Sequence, residues 1–377
     1  MKRIIPILLA FFLTGCMQQV PEASLDETTV PETTVPQTEP PTNPLDPLEA
    51  LLCTMTTEEK VGQLFLARCP ESNATEDIGK YHLGGYILFA RDFENETPDT
   101  LRKTLQNYQT AANVPMLIAV DEEGGTVNRV SCYETFRDTP FLSPRRLYSQ
   151  GGMEQIIASE KEKCALLTSL GINVNVGPVC DVTTEASAFM YPRSLGESPE
   201  ITGEFVKNVV NVMSEGKIGG ILKHFPGYGN NTDTHTAIAV DERSLEQLES
   251  VDLVPFAAGV KAGCDAIMVS HVYIRAIDAT YPATLSPAVH DYLRENMNFN
   301  GVIVTDDLVM QAITDTYGAG EAAVLAVLAG NDLLCSTEYK VQYDAVLQAA
   351  KDNRISEDQL NESVMRLLRW KSKLGLL

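Results

Sequence analysis

Residues 223–235 bring together side chains that can transfer protons. Lys223 and His224 stand at the end of an apolar segment, where burying two such groups is costly unless a carboxylate or a polar ligand is nearby. Asp233 and His235 follow two residues apart in a Gly/Pro/Asn-rich segment. An aspartate that holds one imidazole nitrogen leaves the other free to exchange a proton near neutral pH. Alone, His235 would be interpreted as a solvated loop histidine.

Carboxylates follow two other apolar segments. Asp121, Glu122 and Glu123 repel one another, so at least one of them is expected to face a ligand cleft, unless the run simply begins a helix. Asp306 and Asp307 follow a second such segment, where an aspartate can act as a nucleophile, a metal ligand or an acceptor for sugar hydroxyls. Two adjacent aspartates do not both fit one small pocket, and we expect Asp307 to cap a helix.

The elements that position these side chains alternate between short apolar strands and longer helical patterns. The predicted helices cover Pro98–Ala112, Met153–Leu170, Pro199–Glu215, Leu245–Ala262, Pro287–Asn296, Gly318–Ala329 and Ser356–Leu377. The predicted strands are Gln63–Ala67, Tyr86–Ala90, Met116–Val120, Val174–Val179, Ile221–Phe225, Ala266–Ser270, Val302–Thr305 and Asp332–Cys335.

Eight strand–helix units predict an α/β fold, a single (β/α)8 TIM barrel, whose strands carry functional residues at their carboxyl ends. An open doubly wound sheet is the alternative, but no G-x-G-x-x-G motif follows the first strand. The composition agrees with a folded protein, since 44% of the 377 residues are apolar. A net charge of −22 excludes nucleic-acid binding as the main function, because such binding needs clustered Lys and Arg.

The N-terminus predicts an exported, membrane-anchored protein. Lys2 and Arg3 precede an apolar run over residues 4–13 that is too short to span a bilayer, as in a signal peptide. The sequence LTGC over residues 13–16 resembles a bacterial lipobox. It predicts a signal peptide over 1–15, a lipidated Cys16 followed by a Pro/Thr/Glu-rich disordered tether to residue 45, and a catalytic domain over 46–377. A plain secretory signal is the alternative.

Lipidation of Cys16 leaves seven cysteines in the folded part. An odd number cannot pair completely, and no C-x-x-C spacing indicates a zinc site. We therefore expect mostly free, buried thiols. The sequence also has no H-E-x-x-H motif, EF-hand loop or histidine cluster, so neither a metal nor another cofactor is expected.

Four segments together carry a resemblance to a known family. In order, they resemble the bacterial β-N-acetylglucosaminidases of glycoside hydrolase family 3, over nearly all of residues 50–377. The resemblance implies a two-step retaining mechanism in which Asp306 forms a covalent glycosyl-enzyme and His235, held by Asp233, is the acid/base. It also implies sugar binding by Asp121, Arg129, Arg193, Lys223 and His224; a lone Arg193 in a turn would otherwise carry little weight. The four segments are DEEGGTVNR (121–129), KHFPGYG (223–229), Asp233-x-His235 and GVIVTDD (301–307).

The resemblance predicts a monomeric exo-enzyme that removes terminal GlcNAc, with peptidoglycan fragments as the expected substrate source. Tyr228 departs from the family, whose members often carry His there, and the loop from Lys223 to His235 is about one residue short. Two alternatives remain open. A neutral histidine does not repel phosphate, so the chain could be a phosphorylase; or it could be an inactive lipoprotein that only binds wall sugars. The presence of Asp306, Asp233 and His235 together argues against the second alternative.

Overall fold

The computed structural model describes residues 46–229 and 239–377. Eight parallel strands form one sheet, in the order β10-β1-β2-β3-β4-β5-β7-β9, and a bridge between Val304 and Leu333 connects its two end strands. The predicted (β/α)8 barrel is confirmed. The strands are β1 (Phe65–Arg68), β2 (Gly85–Leu88), β3 (Leu117–Val120), β4 (Val174–Asn175), β5 (Gly219–Phe225), β6 (Val240–Asp241), β7 (Ala266–Val269), β8 (Tyr273–Ile274), β9 (Val302–Thr305) and β10 (Leu334–Ser336).

The barrel strands are buried on both faces, which explains why they read as continuous apolar runs. All four residues of β3 and all four of β9 are buried. The fourth strand is shorter than the predicted 174–179 because Pro178 has no N–H to donate to a ladder. Val179 still bridges Lys223 on β5. The sequence did not reveal the small parallel pair β6–β8, whose two strands have only two residues each.

Helices surround the barrel, and four of them begin at a signal that the sequence shows. A Ser or Thr caps each, followed by Pro at the first helical position, as at Ser143–Pro144 and Ser198–Pro199. The helices are α1 (Pro47–Thr54), α2 (Thr57–Gln63), α3 (Ala74–Tyr81), α4 (Pro98–Ala111), α5 (Pro144–Leu170), α6 (Pro199–Glu215), α7 (Leu245–Ser250), α8 (Leu253–Lys261), α9 (Pro287–Asp291), α10 (Gln311–Tyr317), α11 (Ala319–Ala329), α12 (Tyr339–Lys351) and α13 (Glu357–Lys373).

Several helices differ from their predicted bounds. The predicted helix 245–262 is two helices, since the backbone breaks at Val251. The predicted helix 287–296 ends as a π-helical turn over Tyr292–Asn296. Helix α5 begins at Pro144 instead of Met153 and is kinked at Gly151 and Gly152. Helices α1, α2, α3, α10 and α12 were not among the helices predicted from the sequence.

The expectations about the N-terminus and about the cysteines have different outcomes. The predicted signal peptide, Cys16 and the tether to residue 45 lie outside the described residues, so they stay predictions. The seven cysteines of the described part are unpaired, and four of them are buried, whereas Cys53 and Cys132 are exposed. Within residues 46–229 and 239–377, no helix combines the length and apolar character needed to cross a bilayer.

Candidate active site

The candidate site is a cavity of about 340 Å³ at the carboxyl ends of the barrel strands, referred to below as the barrel cavity. Residues that end or follow β1, β3, β5 and β9 contribute charged side chains to its wall. Barrel enzymes place their chemistry at this end, because the loops that leave the strands meet there. The charged lining residues are Arg68, Asp121, Glu123, Arg129, Arg193, Lys223, His224, Asp306 and Asp307.

Lys223 is the buried centre of an ion cluster in this cavity. Its Nζ lies 2.6 Å from Asp121 Oδ1 and 2.6 Å from Glu123 Oε1. Burial lowers the pKa of Lys223, but the carboxylates of Asp121 and Glu123 outweigh burial, so the pKa is raised above its ordinary value. The ammonium therefore stays charged on the wall of the cavity.

Arg193 completes the cluster from the segment between β4 and α6. Its Nη2 and Nε donate to the two carboxylate oxygens of Glu123 at 2.7 and 3.0 Å. Burial would raise the pKa of Glu123, but the charges of Lys223 and Arg193 hold it well below its usual range. This bidentate pair fixes the guanidinium plane in a way that a lysine could not.

His224 is oriented by a buried carboxylate that the sequence did not single out. Its Nδ1 lies 2.8 Å from Asp181 Oδ2, and its Nε2 lies 3.3 Å from Arg193 Nη2. A guanidinium only donates, so Nε2 accepts and Nδ1 carries the hydrogen given to Asp181. Asp181 also accepts the backbone N–H groups of His224 and Tyr228. It thus fixes both the ring and the backbone that follows β5.

The register of β5 against β7 shifts between Leu222 and Phe225. In a regular strand, successive side chains point to opposite faces. The irregularity explains how Lys223 and His224, which are adjacent in sequence, both line the same cavity.

Glu122, between Asp121 and Glu123 in the sequence, is not among the residues that line the barrel cavity and has a structural function. It is fully buried, and its N–H donates to Asn175 Oδ1 at 2.9 Å. Its carboxylate accepts the backbone N–H groups of Arg129, Val130 and Ser131 and the Ser131 hydroxyl. Glu122 therefore folds the loop that presents Arg129 to the barrel cavity.

Asp306 and Asp307 have different hydrogen-bond partners, but both line the barrel cavity, against the expectation that only one of them would fit it. The N–H of Asp306 donates to Val269 O, and its Oδ1 accepts the N–H of Asp307 at 2.8 Å. Asp307 accepts from the N–H groups of Val309 and Thr337 and from the Thr337 hydroxyl. Asp307 is thus held by the loop after β10, and the expectation that it caps a helix is wrong, because α10 begins later, after Met310.

Two further arginines of the cavity wall share one aromatic ring. The guanidinium carbon of Arg68 lies 4.5 Å from the centroid of Phe89, and that of Arg129 lies 5.6 Å from the same centroid. Arg68 ends β1 and was not a sequence candidate. The strand-end rule that selected the other residues applies equally to this position.

The structure brings most of the sequence candidates together. Asp233 and His235 lie outside the described residues. Glu123, Asp181 and Arg68 are added; each ends or closely follows a strand, which is the signal that would have found them. Among the described residues, no group of three or more His, Cys, Asp or Glu side chains is arranged to hold a metal ion. The candidates that line the barrel cavity are Asp121, Arg129, Arg193, Lys223, His224 and Asp306.

Comparison with known proteins assigns the chain to a family. A beta-hexosaminidase of Stenotrophomonas maltophilia (strain K279a) is 35% identical over 265 residues, which cover 68% of this chain and 77% of that protein. Beta-hexosaminidase A of Pseudoalteromonas piscicida is 30% identical over 331 residues, 80% of this chain; the chain spans only 55% of that relative's length.

A solved structure and a family model agree with these relatives. The structure of a glycoside hydrolase family 3 beta-N-acetylglucosaminidase from Paenibacillus sp. str. FPU-7 superposes with a TM-score of 0.80 at 34% identity, covering 85% of this chain and 63% of that one. The model of the glycosyl hydrolase family 3 N terminal domain matches residues 56–370. The chain therefore belongs to glycoside hydrolase family 3.

Proposed function

We propose that the chain is a retaining exo-β-N-acetylglucosaminidase that hydrolyses terminal, non-reducing GlcNAc residues. The observation that carries the proposal is that Asp306 lines the same cavity as the Lys223, Asp121, Glu123 and Arg193 cluster. The names of the relatives, beta-hexosaminidase and beta-N-acetylglucosaminidase, support the substrate class.

The ion cluster suits a neutral sugar. Paired charges keep fixed donors and acceptors inside the barrel, so hydroxyl groups can both donate to Asp121 and accept from Lys223 without displacing the partner charge. His224 and Arg193 add further fixed polar atoms on the same wall. Such preorganised groups bind a sugar ring in one orientation.

In the first step of the proposed reaction, a carboxylate oxygen of Asp306 forms a bond to the anomeric carbon. The bond from that carbon to the glycosidic oxygen breaks, and His235 gives its proton to the departing oxygen. In the second step, His235 takes a proton from water, the water oxygen bonds to the anomeric carbon, and the Asp306 ester bond breaks. The N–H of Asp307 holds Asp306 Oδ1, and the carboxylate stabilises the positive charge of the transition state.

We propose an extracytoplasmic location and peptidoglycan fragments as the substrate source. The support is in the sequence alone: the cationic start, the apolar run and the LTGC motif ending at Cys16. Two acyl chains on Cys16 would hold the catalytic domain at the outer face of the membrane, where wall fragments are released.

The proposal predicts that Asp306→Ala abolishes hydrolysis of a chromogenic β-GlcNAc glycoside. Removing a nucleophile costs at least about a thousandfold in kcat, since binding and the remaining charges do not replace a covalent step. Asp315→Ala, the same change at an exposed position on α10, is the control and should retain wild-type turnover. Circular dichroism of both variants checks the fold.

An Asp306→Ala protein with unchanged turnover would contradict the nucleophile assignment. Product analysis with and without phosphate tests the overall reaction. Release of free GlcNAc in both conditions supports hydrolysis, whereas GlcNAc 1-phosphate as the main product would identify a phosphorylase.

A further inference from the structure

His271 is a buried histidine beside the candidate active site that the proposed reaction does not use. It comes two residues after the end of β7 and is 0% exposed. It is not among the residues that line the barrel cavity, so direct contact with a ligand there is not its function. A buried imidazole is destabilising unless its nitrogens are hydrogen-bonded. The partners of the two nitrogens therefore indicate what the ring does.

Nε2 of His271 donates to the backbone of Asp307. It lies 3.0 Å from Asp307 O, and a carbonyl oxygen only accepts hydrogen bonds. Nε2 must therefore carry a hydrogen. Nδ1 lies 2.7 Å from the hydroxyl oxygen of Thr284, which can donate or accept. The contact with Thr284 orients the ring without competing for the hydrogen that Asp307 accepts.

Thr284 is held in the buried interior. Its hydroxyl oxygen lies 2.6 Å from Ser270 O, and its N–H donates to the same oxygen at 3.1 Å. Its carbonyl oxygen accepts from Asn331 Nδ2 at 2.8 Å. Ser270, Thr284 and Asn331 are all buried, and a connected buried network of this kind keeps its members in one arrangement. The direction of the His271 ring is thus set before any ligand binds.

Asp307 transmits this constraint to Asp306. Its carbonyl oxygen accepts from His271, and its carboxylate accepts from the N–H and the hydroxyl of Thr337. The N–H of Asp307 donates to Asp306 Oδ1 at 2.8 Å. Because the carbonyl and the side chain of Asp307 are both held, its N–H stays directed at the Asp306 carboxylate. A hydrogen bond from an N–H to a carboxylate also favours the ionised form.

We propose that His271 is a positioning residue for the nucleophile: it fixes the backbone of Asp307, whose N–H holds Asp306 Oδ1. This inference rests on the proposed function, in which a carboxylate oxygen of Asp306 bonds to the anomeric carbon. The attacking oxygen must approach to within about 3–3.5 Å in the correct orientation, so a small displacement of the carboxylate slows this step. His271 therefore affects kcat more than KM.

The test compares His271→Asn with His271→Gln. The amide nitrogen of glutamine reaches about as far as Nε2 and can still donate to Asp307 O, whereas that of asparagine reaches only about as far as Nδ1. In His271→Asn, kcat for a chromogenic β-GlcNAc glycoside should fall about ten- to hundredfold with KM nearly unchanged, because the reacting group is misplaced. His271→Gln should recover most of the wild-type kcat.

His290→Asn is the matched control. His290 is also buried, and its Nδ1 bonds Ser286 O, but it is not among the residues that line the barrel cavity. Replacing this imidazole should lower the free energy of unfolding and leave kcat unchanged. If His271→Asn and His271→Gln behave in the same way, with the wild-type kcat in the folded protein, His271 only packs and the inference is overturned.

Nitrogen-15 NMR of the wild-type chain, labelled at histidine, tests the hydrogen bond without a variant. His271 should show a slowly exchanging hydrogen on Nε2. In His224 and His290, by contrast, Nδ1 carries the hydrogen, because an oxygen of Asp181 or Ser286 faces it. A spectrum without any slowly exchanging Nε2–H would refute the donation to Asp307, even if His271→Asn does not fold.

The outcomes separate this inference from the proposed function. If Asp306→Ala abolishes turnover but His271→Asn keeps the wild-type kcat, the positioning function is refuted while the glycosidase stands. If Asp306→Ala retains turnover, the nucleophile assignment fails, and the inference about His271 fails with it. Loss of kcat in His271→Asn, its recovery in His271→Gln and a protected Nε2–H together support the inference.

Discussion

Glu123 and Lys223 keep their charges inside the barrel because each faces two groups of opposite sign. Glu123 faces Lys223 and Arg193, and Lys223 faces Glu123 and Asp121. Desolvating an ion is costly, and close pairing with good geometry offsets that cost. At the scale of single residues, the site is thus a set of paired charges whose positions are fixed before any ligand binds.

A second such cluster supports the backbone after β5. Arg243 donates to Asp241 through Nε and Nη2, and its Nη1 lies 2.6 Å from Asp252 Oδ2. Gly227 and Gly229 cross directly over it at positive φ, where an added Cβ would lie 2.6 Å from Asp252 Oδ1 and 2.5 Å from Arg243 Nη2. The cluster therefore fixes the path of the KHFPGYG motif.

Arg243→Ala should lower the free energy of unfolding by about 3–5 kcal/mol at pH 7, because it leaves two buried carboxylates without their cation. Burial already raises the pKa of Asp252 to about 6, against the opposing effect of Arg243. At pH 5 Asp252 is therefore largely protonated in the folded state, so the loss should be smaller there than at pH 7. Urea unfolding at the two pH values measures both effects.

Arg354→Ala is the matched control for this prediction. Arg354 and its partner Glu321 are both nearly half exposed, and exposed pairs contribute about 1 kcal/mol or less. Equal losses in Arg243→Ala and Arg354→Ala would show that the buried cluster has no special importance for stability.

At the scale of elements, the strands could be predicted because each is a short apolar run, and the polar residues at their carboxyl ends indicated where the site lies. The side chains that pair with one another in the site could not be predicted. Lys223 and Asp121 are 102 residues apart in sequence, and His224 and Asp181 are 43 apart. Such pairs arise only when the barrel closes. Asp181 and Glu123 carry no local signal beyond their position after a strand, so their functions became visible only in the structure.

Short helices escaped prediction for a related reason. Helices α2 and α3 have seven and eight residues, too few for a clear 3.6-residue apolar repeat, and tertiary packing supplies most of their stability. The break between α7 and α8 was missed because the apolar spacing continues across it. Only Val251, with φ of −124°, interrupts the helical backbone.

Lys371 connects the last helix to the start of the barrel. It is fully buried on α13, and its Nζ donates to Gln63 Oε1 of α2 at 2.6 Å. Burial lowers the pKa of Lys371 to about 7. Between pH 7 and about 10.5, the ordinary value, the unfolded chain binds a proton that the folded chain does not, so stability should rise with pH across this window.

Lys371→Met should remove this part of the pH dependence. The rise in the free energy of unfolding between pH 7 and 9, measured with urea, should be smaller than in the wild type. Lys371→Gln keeps a donor for Gln63 and should show the same flatter profile. Lys373→Met changes a half-exposed lysine two residues away and should retain the wild-type slope; a wild-type slope in Lys371→Met would contradict the assignment.

At the scale of the whole molecule, the barrel converts distant segments into one charged cavity. Residues after β1, β3, β5 and β9 meet at its carboxyl edge, although more than 230 positions separate the first from the last. The net charge of −22 excluded polyanions from the outset. Inside the cavity the charge balance is different, because four Lys and Arg side chains and four Asp and Glu side chains line its wall. This local balance suits an uncharged ligand such as a sugar ring.

The anomeric configuration of the GlcNAc first released from a β-GlcNAc glycoside tests the central claim most directly. Proton NMR during the first turnovers distinguishes the two anomers before they interconvert. A covalent Asp306 intermediate requires two inversions at the anomeric carbon, so β-GlcNAc should appear first and the α anomer should grow in later. Initial release of α-GlcNAc would contradict a covalent intermediate and with it the function assigned to Asp306.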